Sequence, residues 1–171
     1  MSEEKYPFKR MNLPPEKKLD LCQRLLWGVI ARIVRTMDEK YGEEALEAIS
    51  ESLRDWDYWK ASVRQAGVPE GDGTIRDLLV ELWGPGDDLC FTVAEPVQMT
   101  EDPDENRVLY KAMSCNVADV IGRECPKTCR VVSRAVEEGV ARVVNPKIKV
   151  SGNKFLSTGD DGCYIWAELE E

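Results

Sequence analysis

The sequence predicts an α+β fold, with N-terminal helices packed on a small antiparallel sheet of two hairpins separated by two short helices. Three observations carry that reading. Apolar residues recur every three or four positions through the first half, as on one face of a helix. Gly84-Pro85-Gly86 interrupts that pattern, and beyond it the period falls to two. The strand-like runs then come in neighbouring pairs with helices gathered elsewhere, the arrangement of an antiparallel sheet.

Pro14-Pro15 opens the first helix, whose stripe runs Leu19, Cys22, Leu26, Val29, Ile33, Met37, Tyr41 to a stop at Gly42. That stripe is expected to be buried. Leu46, Ile49, Leu53, Trp56 and Val63 predict a second helix ending at Gly67, and Gly71 to Thr74 caps a third carrying Ile75 to Trp83. Strands are expected near 89–95 and 106–112, either side of the acidic turn Thr100 to Asn106. Cys115 to Gly122 and Pro126 to Glu138 read as two short helices, the latter closed by Gly139. Strands near 147–156 and 163–169 form the last hairpin around Thr158-Gly159-Asp160-Asp161-Gly162.

A chain of 171 residues suits one domain. Residues 1–13 read as a flexible N-terminal segment, and 14–171 as a single α+β domain with a helical half, 14–84, and a mixed half, 85–171. The net charge of −9 argues against a nucleic-acid partner, whose phosphates need clustered Lys and Arg. No apolar run reaches the ~18–20 residues needed to span a bilayer, and the first residues lack the order of a secretory signal. A cytoplasmic address and no membrane partner are therefore expected. In that compartment six cysteines favour reduced thiols or metal thiolates over disulfides. Histidine is absent altogether, which removes the commonest general base and zinc ligand. A homodimer is a further expectation, because the long first helix can leave part of its stripe uncovered.

Four cysteines fall in the last third, Cys115, Cys125, Cys129 and Cys163, three of them at the predicted start of an element. If Pro126 begins a helix, Cys125 is its N-cap, where the helix dipole favours a thiolate. Cys125 should then react with iodoacetamide faster than Cys22. Cys129 lies one turn further along the same helix. The four thiols are expected to converge on one site, as nucleophiles or as ligands of a metal ion or iron–sulfur cluster, although no CxxC spacing of the usual zinc site is present. Burial as small hydrophobes is the competing explanation for each, and it suits Cys22 and Cys90 best. Asp160 and Asp161 are what a hairpin turn ordinarily requires, and the five tryptophans suit core packing.

Cys115-Asn116-Val117-Ala118, Cys125-Pro126-Lys127-Thr128-Cys129, Asn145-Pro146, Leu156 and Thr158-Gly159-Asp160-Asp161-Gly162-Cys163 together resemble the L-2-amino-thiazoline-4-carboxylic acid hydrolase-like family. The likeness covers roughly residues 88 to 170. It departs from the family pattern at Asn116, where proline often follows the first Cys. The Gly159-Asp160-x-x-Cys163 ending is also similar to 4-vinyl reductase-type small-molecule-binding domains. The first resemblance implies a hydrolase that opens a cyclic amidine, 2-amino-thiazoline-4-carboxylate, to N-carbamoyl-cysteine. Attack by water or a thiolate on the amidine carbon, and protonation of a departing nitrogen, would be required. Cys115 or Cys125 could attack, and Asp160 could act as base or orient the substrate. Cys129, Asp161 and Cys163 would complete the ligand site. A non-catalytic small-molecule or cofactor-binding domain, and a metal protein ligated by Cys115, Cys125, Cys129 and Cys163, are the alternatives.

Overall fold

A computed structural model of the chain describes residues 13–78, 98–99 and 106–170. Helix α1, Pro15–Tyr41, begins with proline in its first turn, where a missing N–H costs nothing. It ends at Gly42, whose φ of 73° only glycine adopts readily. Helix α2, Glu43–Arg54, follows at once with Glu43 and Glu44 at the positive end of its dipole. The single helix expected up to Gly67 is in fact two. The chain breaks at Asp55–Asp57 and resumes as α3, Tyr58–Gln65. Trp59 fastens the corner by donating its indole N–H to Leu53 O at 2.6 Å, while Trp56 is left exposed. A helical turn then starts at Ile75 under a reciprocal cap. The Thr74 N–H and hydroxyl both donate to Asp77 Oδ2 at 2.7 Å, and Thr74 Oγ1 accepts the Asp77 N–H at 3.1 Å. The rest of that third helix, the strand expected at 89–95, Cys90, and residues 1–12 of the N-terminal segment lie outside the described residues.

The second half gives β1, Gln98–Met99; β2, Arg107–Ala112; α4, Ala118–Glu124; a π-turn at Cys129–Ser133 running into α5, Arg134–Val144; β3, Ile148–Lys154; a 3₁₀ turn, Leu156–Thr158; and β4, Cys163–Leu169. The two helices thus start and end later than the sequence pattern placed them. Gly139, expected as a stop, lies inside α5 because α5 packs so closely there that a side chain would strike Arg54 and Trp59.

Every strand pair is antiparallel, in the order β1-β2-β4-β3. The expected α+β class and the two hairpins flanking a helical insert are what the described residues form. Val108 pairs with Ala167 and Tyr110 with Ile165, which puts all four on one face. There they meet Val140, Ala141 and Val144 of α5, together with Trp59, Val63, Val68, Ile75 and Leu78. On the opposite face Arg107 lies 4.2 Å from the Trp166 ring and Lys111 4.7 Å from that of Tyr164.

The helical half does not simply cover the sheet, as expected. Helix α5 lies against it, α2 packs on α5 and the π-turn, and α1 packs on α4 and α2. A second core results, with Trp27, Ala31, Val34, Leu46, Val117, Ile121, Val131 and Val132. The face of α1 it uses is not the expected one. Trp27, Ala31 and Val34 are buried, whereas Leu19, Cys22, Leu26, Val29, Ile33 and Tyr41 are exposed. Both stripes have helical spacing. The one with the small alanine is drawn inward, where Trp27, Ala31 and Val34 pack with Val117 and Ile121, and Arg24 beside it pairs with Asp119 of α4 through two bonds of 3.0 and 2.8 Å. Among the described residues, no helix is long and apolar enough to cross a membrane.

Candidate active site

Cys115 sits between β2 and α4, where its carbonyl accepts the Ala118 N–H at 3.3 Å. Cys129 opens the π-turn, an element that recurs at functional sites. Cys163 begins β4 with the same parity as Ile165 and Ala167, so it points to the helix-covered side of the sheet. These three meet around the 3₁₀ turn. Leu156 N–H donates to Cys163 Sγ at 3.3 Å, Cys129 is hydrogen-bonded to Ser157, and Cys115 borders a cleft whose wall includes Leu156 and Ser157. Glycine at position 122 lets α4 come this close, because a Cβ there would stand 2.7 Å from Ser157 O. The cleft measures about 810 Å³, and Ala118, Asp119, Arg123, Pro126, Thr158 and Gly159 form its remaining rim.

Burial pushes the Cys129 thiol up to about 11, with Ser157 and Ser133 opposing the rise and the charge of Cys115 adding to it. Cys163 is pushed up to about 12 by burial, against the Leu156 N–H and reinforced by Cys129 and Cys115. Cys129 and Cys163 therefore resist ionisation partly because the other thiols stand near. Cys129 and Cys163 are neutral at physiological pH.

Cys125 occupies a different position from the expected helix N-cap. It ends α4 with its N–H on Ile121 O, and its thiol is buried in the second core. Cys22 is exposed and Cys125 buried, the opposite of the accessibility that the expected order of alkylation requires. A metal site built from all four thiols does not fit this arrangement. Among the described residues, no three Cys, Asp or Glu side chains stand together as a ligand set.

Asp160 holds the turn. Its Oδ2 accepts the Thr158 hydroxyl at 2.6 Å and the Phe155 N–H at 2.9 Å, and these bonds lower its pKa. A carboxylate so stabilised is a weaker base than an ordinary one. Asp161 accepts the Tyr164 hydroxyl at 3.0 Å and is lowered by it; its carboxylate lies on the outer face of the turn with Lys154 at 3.5 Å.

No residue spacing points to Arg134 and Glu137. Arg134 is buried and donates from Nη1 to Glu137 Oε2 at 2.7 Å, while its Nε and Nη2 have no hydrogen-bond partner among the described residues. Glu137 in turn acts electrostatically on both Cys129 and Cys163. An arginine three residues before a glutamate ordinarily reads as a solvated helix pair. Only the packing reveals that this pair lies inside, with Glu137 near the thiols. Comparison with family models, with curated proteins and with solved structures finds no match to this chain.

Proposed function

We propose that this protein hydrolyses a small cyclic amidine that carries a carboxylate, such as 2-amino-thiazoline-4-carboxylate, with Cys115 as nucleophile. The observation that carries the reading is a cluster of three thiols of which one, Cys115, borders an open cleft while the other two are held neutral behind it. Cys115 sulfur adds to the amidine carbon, and its proton passes to the ring nitrogen. Both nitrogens persist in N-carbamoyl-cysteine, so the bond that breaks is the one from that carbon to the ring sulfur, not a bond to nitrogen. The departing thiolate has an ordinary pKa of ~8.5 and leaves without a strong general acid. A chain without histidine can therefore support the reaction. Water then adds to the same carbon and expels Cys115, giving the urea product. The guanidinium of Arg123, on the rim of that cleft, supplies the positive charge a substrate carboxylate needs.

The test is turnover of 2-amino-thiazoline-4-carboxylate, followed by the appearance of the carbamoyl product and a free thiol. Cys115→Ser should abolish it while leaving the circular dichroism unchanged. Equal turnover by Cys115→Ser, or none by the folded wild type, would reject the proposal. The engagement of Asp160 in its turn favours a second reading, a domain that binds such a ligand without converting it. Calorimetric binding without turnover would select that reading.

A further inference from the structure

We infer that a second copy of this chain docks antiparallel along α1, with a twofold axis near Val29. The stripe left outside the fold runs Leu19, Cys22, Leu26, Val29, Ile33, a 3-4-3-4 spacing that is the seam of a two-helix coil. Leu26 and Ile33 are 58% and 55% exposed. A contiguous apolar surface of this kind on a folded domain marks an interaction site.

The occupant follows from the shape of the same helix. The N-terminal part of α1, Pro15–Leu26, stands as a ridge, with its leucines facing outward. Further along, Ile30, Ile33, Met37 and Tyr41 form one wall of a groove of about 810 Å³, closed by Ala45 and Ala48 of α2. Each part extends over eleven residue steps, about 16 Å along the axis. A twofold axis between them lays the ridge of each copy in the groove of the other, which is the self-complementarity an isologous dimer requires. The alanines of α2 leave room for the incoming leucines. Charge agrees with the direction: Lys18, which flanks the stripe at the ridge tip, arrives at the end of the groove marked by Glu44. Neither of these two forms an ion pair among the described residues.

Sedimentation velocity of the full chain tests the docking, and cross-linking tests its direction. Wild type should sediment as a dimer, Leu26→Glu as a monomer with unchanged circular dichroism. Lys18→Glu should raise the dimer Kd about tenfold, and Glu44→Lys in the same chain should restore it. Antiparallel packing about Val29 keeps the two Cys22 residues about 21 Å apart. Mild oxidation should therefore leave wild type uncrosslinked at Cys22, but should link Val29→Cys to its twin in a Cys22→Ser background. A wild type that stays monomeric at all concentrations, with the stripe covered by other parts of its own chain, overturns the inference. So does a dimer that survives Leu26→Glu, or one that crosslinks through Cys22, which would mean parallel packing.

Discussion

Gly139→Ala sets two effects of opposite sign against each other, and the packing around α5 decides between them. In an open helix the substitution would stabilise by ~1 kcal/mol, because alanine restricts the unfolded chain and favours the helix. Here a Cβ would stand 2.6 Å from Arg54 O, 2.7 Å from Trp59 Nε1 and 2.8 Å from Trp59 Cδ1. The first neighbour is backbone at the end of α2, and the other two belong to a ring fixed by its bond to Leu53 O. Overpacking a site of this kind costs ~1–3 kcal/mol. Displacing the indole costs a further ~0.5–1.5 kcal/mol in the lost hydrogen bond. The clash outweighs the helix gain, for a net loss of about 2 kcal/mol, or ~4–8 °C in melting temperature for a domain of this size. Urea unfolding followed by tryptophan fluorescence measures it. In a Trp59→Phe background the penalty should shrink by ~1 kcal/mol, since part of the obstacle is gone. A Gly139→Ala midpoint equal to or above wild type would refute the close approach of α5 to the α2–α3 corner.

Three other outcomes follow from the thiols and the buried ion pair. Cys129 and Cys163 have folded-state pKa values raised from an ordinary 9.0 to about 11 and about 12, so their contribution to stability is complete below pH 9 and is lost as pH climbs toward 11–12. The urea midpoint should fall across that window, and less steeply in Cys163→Ala. In native protein near neutral pH, iodoacetamide should modify exposed Cys22 well before buried Cys125, as read by peptide mass spectrometry. Glu137→Gln leaves the buried Arg134 without its counter-charge and should cost ~3–5 kcal/mol; Arg134→Met in the same chain should recover most of that loss in chemical unfolding.

The sheet was legible in the sequence because one face is buried and the other carries charge. Val108 and Tyr110 alternate with Arg107 and Lys111, and a shift by one residue would invert every side chain. Helix α1 was legible as a helix but not in its orientation. Its apolar residues are spaced for burial on two faces, and which face wins depends on the packing of Trp27, Ala31 and Val34 with Val117 and Ile121, far along the chain. The α2–α3 corner was hidden for a similar reason: Trp59 turns back onto Leu53, a contact that no periodicity encodes. Of the four thiols expected together, Cys115, Cys129 and Cys163 meet at the 3₁₀ turn, and Cys125 lies in the second core against which Cys115 and Cys129 also pack. The N-cap expected of Cys125 fails because the chain there is leaving α4. Arg134 was invisible, since nothing in an Arg-x-x-Glu spacing says that the pair lies inside.

The π-turn ahead of α5 has a consequence for how this architecture can vary. A π-turn accommodates one residue more than the α-helical turn it replaces, and one residue is about 100° of rotation. Cys129 and Ser133 are thereby set at an angle to the face of α5 that carries Val140, Ala141 and Val144 against the sheet. The turn works as a swivel between two jobs. Deleting a single residue between 129 and 133 would swing Cys129 out of line with Ser157 while the buried valines downstream kept their places. Insertions or deletions at this swivel can retune the thiol neighbourhood without repacking the sheet, so the chemistry of such a domain is free to diverge while its core stays fixed.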